Sequence, residues 1–141
     1  MANFSTAVDI RAAPERVAAV LFDVERWPEW TSTVTSSQRL DPGPFAVGSR
    51  ARVRQPKLAP AIWRVAELDP MTGFLWVSQT PGLRMTAGHR IAASGEGSRV
   101  TLSFQFSGLL GPLVARIYRG LIKRYLAIEA AGLKGRCEDA K

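Results

Sequence analysis

The chain has 141 residues, 46% hydrophobic and 22% charged, which predicts one soluble globular domain spanning residues 1–141. No apolar run reaches the roughly 18 residues that a membrane span needs, so we expect no integral membrane segment. Because Cys137 is the only cysteine and the chain has one histidine, the sequence excludes an intrachain disulfide and predicts no metal site. Nothing in it indicates a cofactor.

The formal net charge of +7 favours nonspecific attraction to anions and does not bear on the fold. The sequence contains no recognition helix and no RNA-binding platform motif, so we do not expect nucleic acid as a partner. Residues 1–17 lack the basic start, apolar core and cleavage site of a signal peptide, which predicts a cytoplasmic location.

The first thirty residues predict a strand followed by two short helices. Apolar and polar residues alternate from Phe4 to Ile10, as they do in a half-buried strand. Pro14 suits the first turn of a helix. A residue before proline is pushed out of the helical region, and Trp27 precedes Pro28. We therefore predict that the first helix ends near Arg26 and that a short second helix begins at Pro28.

The middle of the chain predicts six further strands, separated by turns rich in proline and glycine such as residues 41–44. The predicted strands are Thr31 to Leu40, Gly48 to Gln55, Ala61 to Leu68, Phe74 to Gln79, Leu83 to Ala93 and Val100 to Phe106. Short strands punctuated in this way predict an antiparallel meander.

The last thirty residues predict one long helix. Pro112 suits its first turn, and no proline follows up to Arg136, which predicts a helix of roughly 35 Å. Two adjoining lines of mainly apolar residues run along it, the first being Leu113, Val114, Ile117, Leu121, Tyr125 and Ile128 and the second Tyr118, Ile122, Leu126, Glu129 and Leu133. This arc is wider than the stripe that covers a core. We predict that one edge seals the core while the neighbouring strip faces an internal cavity.

Two motifs carry a family resemblance. Residues 13–17, Ala-Pro-Glu-Arg-Val, and residues 23–30, Asp-Val-Glu-Arg-Trp-Pro-Glu-Trp, resemble the opening of the SRPBCC (START-like) superfamily, closest to its polyketide cyclase/dehydrase-like branch. The resemblance implies an α+β helix-grip fold: a seven-stranded curved antiparallel sheet wrapped around a long C-terminal helix, with two short helices between strands 1 and 2. It also implies a deep, largely apolar cavity for lipids, polyketides or similar molecules. Members include carriers, sensors and a minority of enzymes.

The chain departs from the aromatase/cyclase members of that superfamily at two positions. Those members carry a tyrosine seven residues after the first motif tryptophan, and an arginine two residues before the tryptophan of the fourth strand. The two tryptophans are present here as Trp27 and Trp63, but the polar positions fall on Val34 and Ala61. The resemblance therefore implies the apolar walls of the cavity for this chain, but it does not imply the polar catalytic residues of those members.

His89 and Tyr118 are the weak candidates for catalysis. His89 has the inward parity of its strand, where it is either a general base or a buried histidine satisfied by a backbone carbonyl. No serine or cysteine nucleophile with a recognisable spacing accompanies it. Glu129 interrupts the apolar face of the last helix, where it either orients a polar group of a ligand or lies solvated at the edge of the arc.

The predicted ligand-binding residues are aromatic, with His89 beside them. Trp63 and Trp76 lie on neighbouring strands and form either an apolar wall for a ligand or simple core packing. Trp30 borders the second short helix, where the cavity of this superfamily commonly opens. Tyr118 and Tyr125 each offer a ring and a hydroxyl on the last helix.

Three functions are compatible with these features. The first is a carrier or sensor that binds a hydrophobic small molecule in the cavity, and the wide apolar arc, the aromatic walls and the few polar groups favour it. The alternative is a polyketide cyclase/dehydratase-type enzyme that uses the same cavity. The third is an interaction module with a filled cavity and a basic surface. The sequence does not indicate an oligomeric state.

Overall fold

The computed structural model describes residues 2–139, so residues 1, 140 and 141 of the predicted domain lie outside the described part. The strands are β1 (Ala2–Ile10), β2 (Ser36–Arg39), β3 (Arg50–Arg54), β4 (Ala61–Asp69), β5 (Gly73–Thr80), β6 (Leu83–Ser94) and β7 (Gly97–Ser107). The helices are α1 (Pro14–Phe22), a 3-10 helix (Val24–Glu29) and the long α2 (Gly111–Asp139). No helix in this part of the chain is both long enough and apolar enough to cross a bilayer.

All seven strands form one antiparallel sheet in the order β1-β7-β6-β5-β4-β3-β2. Strands β2 to β7 are a meander, and β1 pairs with β7 along its whole length, from Ala2 opposite Phe106 to Ile10 opposite Ser98. Helix α2 lies against β1 and β7, and α1 lies against α2 and the middle strands. The predicted α+β helix-grip fold, with its seven-stranded curved sheet and two short helices between strands 1 and 2, is confirmed.

The boundaries differ from the prediction at the two short helices and at β2. Helix α1 ends at Phe22 rather than near Arg26, because Asp23 adopts φ −86° and ψ 69°, outside the helical region. The second helix begins at Val24, so Pro28 lies inside it rather than at its start. Strand β2 begins at Ser36 rather than Thr31, because pairing with β3 starts at Ser36 and the Thr33 hydroxyl bonds to Glu129 of α2 instead.

The prediction that the whole apolar arc of α2 faces inwards was wrong. Its buried stripe runs along one side of the helix and consists of Ala115, Ile122, Tyr125, Leu126, Ala130, Leu133 and Cys137. Leu113, Ile117 and Ile128, from the first predicted line, are exposed. A helix lying in a curved sheet contacts it with only part of its circumference, so the rest of a wide apolar arc remains outside. The width of the arc is therefore not evidence for a hollow.

Candidate ligand-binding site

An open pocket of about 460 Å³ lies between the sheet and the first half of α2. It is lined by residues of β4 to β7, by the segment between β3 and β4, and by Val114, Tyr118 and Ile122 of α2. Most of its walls are apolar, including Leu83, Met85, Phe104 and Phe106. Its rim includes Ala59 and Pro60, which are exposed. The mouth of the pocket is thus beside the segment between β3 and β4.

A much smaller cavity of about 40 Å³ lies deeper in the molecule, with room for only a few water molecules at most. Gln55, Trp63, Phe104 and Ile122 line both spaces, so the inner cavity adjoins the pocket. The hollow between sheet and helix is therefore wide at one end of α2 and narrow towards its middle.

Aromatic side chains fill the space beyond the inner cavity. Trp76 stacks on Trp63 with ring centroids 5.7 Å apart, and it contacts Trp27 at 5.3 Å. The indole N–H of Trp27 donates a hydrogen bond of 3.0 Å to the carbonyl of Leu21, which holds this ring in the core. Trp63 lines both spaces and Trp76 only the inner one. Trp63 and Trp76 are thus part of the packed core and also part of the wall of the hollow.

His89 lies in the inner cavity wall with its ring stacked on Phe74, at a centroid distance of 4.3 Å. Its Nδ1 lies 3.3 Å from the Phe74 carbonyl oxygen. A carbonyl can only accept, so Nδ1 carries the proton and Nε2 is the acceptor of the neutral ring. Burial lowers the pKa of His89 to about 4, so the imidazole is neutral near pH 7 and is a weak base.

Glu129 faces the same inner cavity and accepts a hydrogen bond of 2.8 Å from the hydroxyl of Thr33. Burial raises the pKa of this carboxyl to about 7, which the Thr33 hydrogen bond partly offsets. From the sequence alone the role of Glu129 is undecided, and Thr33 falls within the predicted strand Thr31 to Leu40 with no indication of its role. The position of Glu129 on one line with Ile122 and Leu126 was the available signal, but its partner is 96 residues away.

The two tyrosines of α2 have different roles in the fold. Tyr125 is buried, lines the inner cavity and donates its hydroxyl to the Pro56 carbonyl, which ties α2 to the segment between β3 and β4. Desolvation raises the pKa of this phenol. Tyr118 is half-buried and lines the open pocket. Only Tyr118 of the two is therefore placed beside the larger space.

Trp30 lies apart from the other predicted binding residues. It lines a separate open depression of about 490 Å³ between α1 and the end of α2, together with Arg16, Asp23 and Arg136. The pocket opens elsewhere, beside the segment between β3 and β4. The structure therefore brings Trp63, Trp76, His89, Tyr118 and Tyr125 to one hollow and leaves Trp30 outside it.

Val34 and Ala61 both face the hollow, Val34 in the inner cavity and Ala61 in the open pocket. These are the positions at which aromatase/cyclase members of the superfamily carry a tyrosine and an arginine. Their side chains here add apolar wall and no polar group.

Comparisons with known proteins agree on the fold. Residues 1–138 match the family described as "Polyketide cyclase / dehydrase and lipid transport". No curated protein matches the sequence. The chain is similar to the Zhui aromatase/cyclase from a Streptomyces species, with a TM-score of 0.79 and 15% identity over 97% of this chain and 93% of that one. It is similar to a Thermus thermophilus protein, with a TM-score of 0.77 and 20% identity over 96% and 97% of the two chains. A START superfamily protein from Mycobacterium smegmatis has a TM-score of 0.74 and 18% identity, over 97% of each chain. At these identities the structural likeness shows the fold alone.

Proposed function

The chain belongs to the polyketide cyclase / dehydrase and lipid transport family, and we propose that it binds a hydrophobic small molecule in the pocket beneath α2, as a carrier or sensor. The observation that supports this most is the open pocket of about 460 Å³ with apolar walls. Small-molecule sites typically measure roughly 300–1,000 Å³ and combine apolar walls with a few placed polar groups. Gln55 and Tyr118 are such polar groups here.

The shape of the hollow favours an occupant that enters from the mouth and stops at Trp63. The inner cavity beyond that residue holds about 40 Å³, too little for part of a lipid chain or a fused ring. Trp63, Phe104 and Ile122 line both spaces and therefore form the floor of the proposed site, and Met85 and Tyr118 belong to its sides. A flat or elongated hydrophobic molecule fits this arrangement, because an indole floor offers a broad apolar surface.

The test is a thermal-shift screen with fatty acids, sterols and aromatic polyketides. A ligand at a hundredfold excess over its Kd stabilises the folded state by about 2.7 kcal/mol. For a domain of this size, that corresponds to a rise in Tm of about 8 °C. A screen in which no hydrophobic compound raises Tm, combined with native mass spectrometry that detects no co-purified molecule, would contradict the proposal.

Ala61→Phe connects any hit to the pocket, because the added ring occupies the space that the ligand needs. Val77→Phe is the matched control. It adds an aromatic ring to the neighbouring strand β5, at a half-buried position that does not line the pocket. Ala61→Phe should abolish the ligand-induced rise in Tm, and Val77→Phe should retain it. Equal loss in both variants would indicate that the ligand binds elsewhere.

A polyketide cyclase/dehydratase-type activity is the second candidate, and one observation favours it. Glu129, with a pKa of about 7, and the accepting His89 face the same inner cavity beside the pocket. A carboxyl that titrates near neutral pH suits proton transfer, and because the occupant stops at Trp63 the transfer would run through water in the inner cavity. If the chain is an enzyme, Glu129→Gln or Tyr118→Phe should remove turnover while ligand binding persists. If it is a carrier, no turnover exists to be lost and Glu129→Gln should leave affinity within about threefold, since the larger pocket is unchanged.

A further inference from the structure

Four aliphatic side chains at the start of α2 contact little of the protein. Leu109 is 91% exposed, Leu110 44%, Leu113 57% and Ile117 66%. Leu113 and Ile117 are four residues apart and share one face of α2, and Leu109 and Leu110 form the turn that leads directly into this helix. Large exposed aliphatic side chains grouped in this way are a candidate interaction surface. We refer to these four residues as the leucine patch.

The leucine patch adjoins the rim of the pocket at the turn between β5 and β6, where Thr80 and Leu83 line the pocket. The backbone N–H of Leu110 donates to the Gly82 carbonyl at 2.7 Å, which fixes the patch beside the turn between β5 and β6. Val114 and Tyr118 follow Leu113 and Ile117 in sequence and line the pocket. A surface that covers the patch therefore also reaches the rim of the pocket.

The charged side chains around the leucine patch are all positive. Residues 97–128 contain no aspartate or glutamate, and the cations on the exposed side of this part of α2 are Arg116, Arg119, Lys123 and Arg124. Within residues 2–139, none of these four cations forms an ion pair with a carboxylate. The acidic residues at strand ends are at the opposite end of the sheet, namely Asp9, Asp41, Asp69 and Glu96. This surface therefore favours an anionic partner.

A second copy of the chain fits this surface poorly. A two-fold interface brings the same patch of both copies together. It would thus place Arg116 and Arg124 of one protomer against the same residues of the other, with no carboxylate to pair them. The patch also lacks the aromatic anchors that dominate protein–protein interfaces, where leucine is under-represented among the strongly contributing residues. A bilayer surface needs no complementary shape, accepts aliphatic side chains and supplies anions.

We infer that the leucine patch docks this protein onto anionic lipid bilayers, with Leu109, Leu113 and Ile117 entering the acyl region. The flanking arginines lie at the level of the lipid phosphates, where each cation adds to the attraction. The rim of the pocket at the turn between β5 and β6 then lies at the bilayer surface. The docking is a property of the outer surface and requires no occupant in the pocket.

The test is cosedimentation of the full chain with vesicles of phosphatidylcholine alone, or of phosphatidylcholine with one third phosphatidylglycerol. The wild-type protein should bind the mixed vesicles, bind phosphatidylcholine weakly, and dissociate as salt rises because salt screens the cations. The double variant Leu109→Glu with Ile117→Glu should bind the mixed vesicles at least about tenfold more weakly than the wild type, since it removes two aliphatic side chains from the interface.

Val47→Glu with Met71→Glu is the matched control. These residues are 62% and 56% exposed at the opposite end of the sheet, and the substitutions change the net charge by the same amount. This control should bind within about twofold of the wild type, because its patch is intact. Thermal unfolding verifies that each variant folds, and Leu109→Ser with Ile117→Ser repeats the test without added charge.

Three outcomes overturn the inference. One is a wild-type protein that does not bind the mixed vesicles at low salt. Another is equal weakening by the patch and control variants, which would mean that net charge alone governs binding. The third is self-association of the wild type that Leu109→Glu with Ile117→Glu abolishes, which would assign the patch to a second copy. Ala61→Phe should bind vesicles like the wild type, so failure of pocket binding and failure of docking are distinguishable.

Discussion

Replacing Glu129 by glutamine should change how stability depends on pH. Burial raises the pKa of Glu129 from 4.5 to about 7 in the folded protein. Below about pH 4.5 the carboxyl is protonated in both states and contributes nothing to pH dependence. As pH rises towards 7, the unfolded chain releases this proton while the folded protein retains it. The free energy of unfolding of the wild type therefore decreases over this interval.

The size of the effect follows from the shift in pKa. A change from 4.5 to about 7 corresponds to about 3 kcal/mol if the carboxyl is fully shielded from water. Glu129 is half-buried, and solvent around part of the side chain reduces this figure. We expect a loss of about 2 kcal/mol in the wild type between about pH 4.5 and pH 8 that Glu129→Gln does not share. Glutamine is close in size and can still accept from Thr33.

The assay is urea unfolding at a series of pH values, followed by tryptophan fluorescence, for the wild type and Glu129→Gln. The difference between the two free energies isolates the carboxyl, because all other titrating groups are common to both. Glu96→Gln, in the exposed turn between β6 and β7, is the control and should parallel the wild type. Parallel curves for the wild type and Glu129→Gln would refute the reasoning, since they would mean that Glu129 ionises as readily in the folded as in the unfolded chain.

Two further predictions concern His89 and the glycines of α2. The His89 pKa of about 4 lies below the ordinary 6.5, so the free energy of unfolding of the wild type should decrease as pH falls from about 6.5 to 4. His89→Gln should not show this decrease. Urea unfolding measures it, and similar acid sensitivity of both proteins would contradict the prediction. A Cβ at Gly132 would overlap the backbone carbonyl oxygen of Trp30, whereas one at Gly120 on the same helix meets nothing within 4 Å. Thermal unfolding should therefore show Gly132→Ala destabilised by about 1–3 kcal/mol and Gly120→Ala stabilised by about 0.5–1 kcal/mol; a gain in both would disprove the close approach of α2 to Trp30.

The strands and the long helix were accessible from local pattern. In β7, Val100, Leu102 and Phe106 are buried and their polar neighbours are more exposed, because one face of the strand meets the core. The long helix begins at Gly111, next to the predicted Pro112, and runs to Asp139, three residues beyond Arg136. The predicted bounds of the two short helices were less accurate, because the break at Asp23 is a backbone conformation that no side-chain pattern encodes.

The strand parity of the candidate site residues was predictable from the sequence, but the contacts between distant parts of the chain and the position of the opening were not. Inward parity placed His89 correctly, because side chains alternate strictly along a strand. The pairing of Thr33 with Glu129 joins residues 96 positions apart, and no local signal specifies it. Trp30 was expected at the entrance of the cavity, yet it lies against the end of α2, because the pocket opens at the other end of that helix.

The sequence by itself determined the order of the elements, the antiparallel sheet and the membership of the START-like superfamily, because these depend on periodicity, turns and a short motif. Only the tertiary structure decided where the hollow lies and which residues face it. Helical periodicity describes the angular spread of apolar residues but not the rotation of the helix about its own axis. That rotation buries Ile122 and Leu126 and exposes Leu113 and Ile117. The same residues that predicted a cavity thus form both its wall and an outer surface.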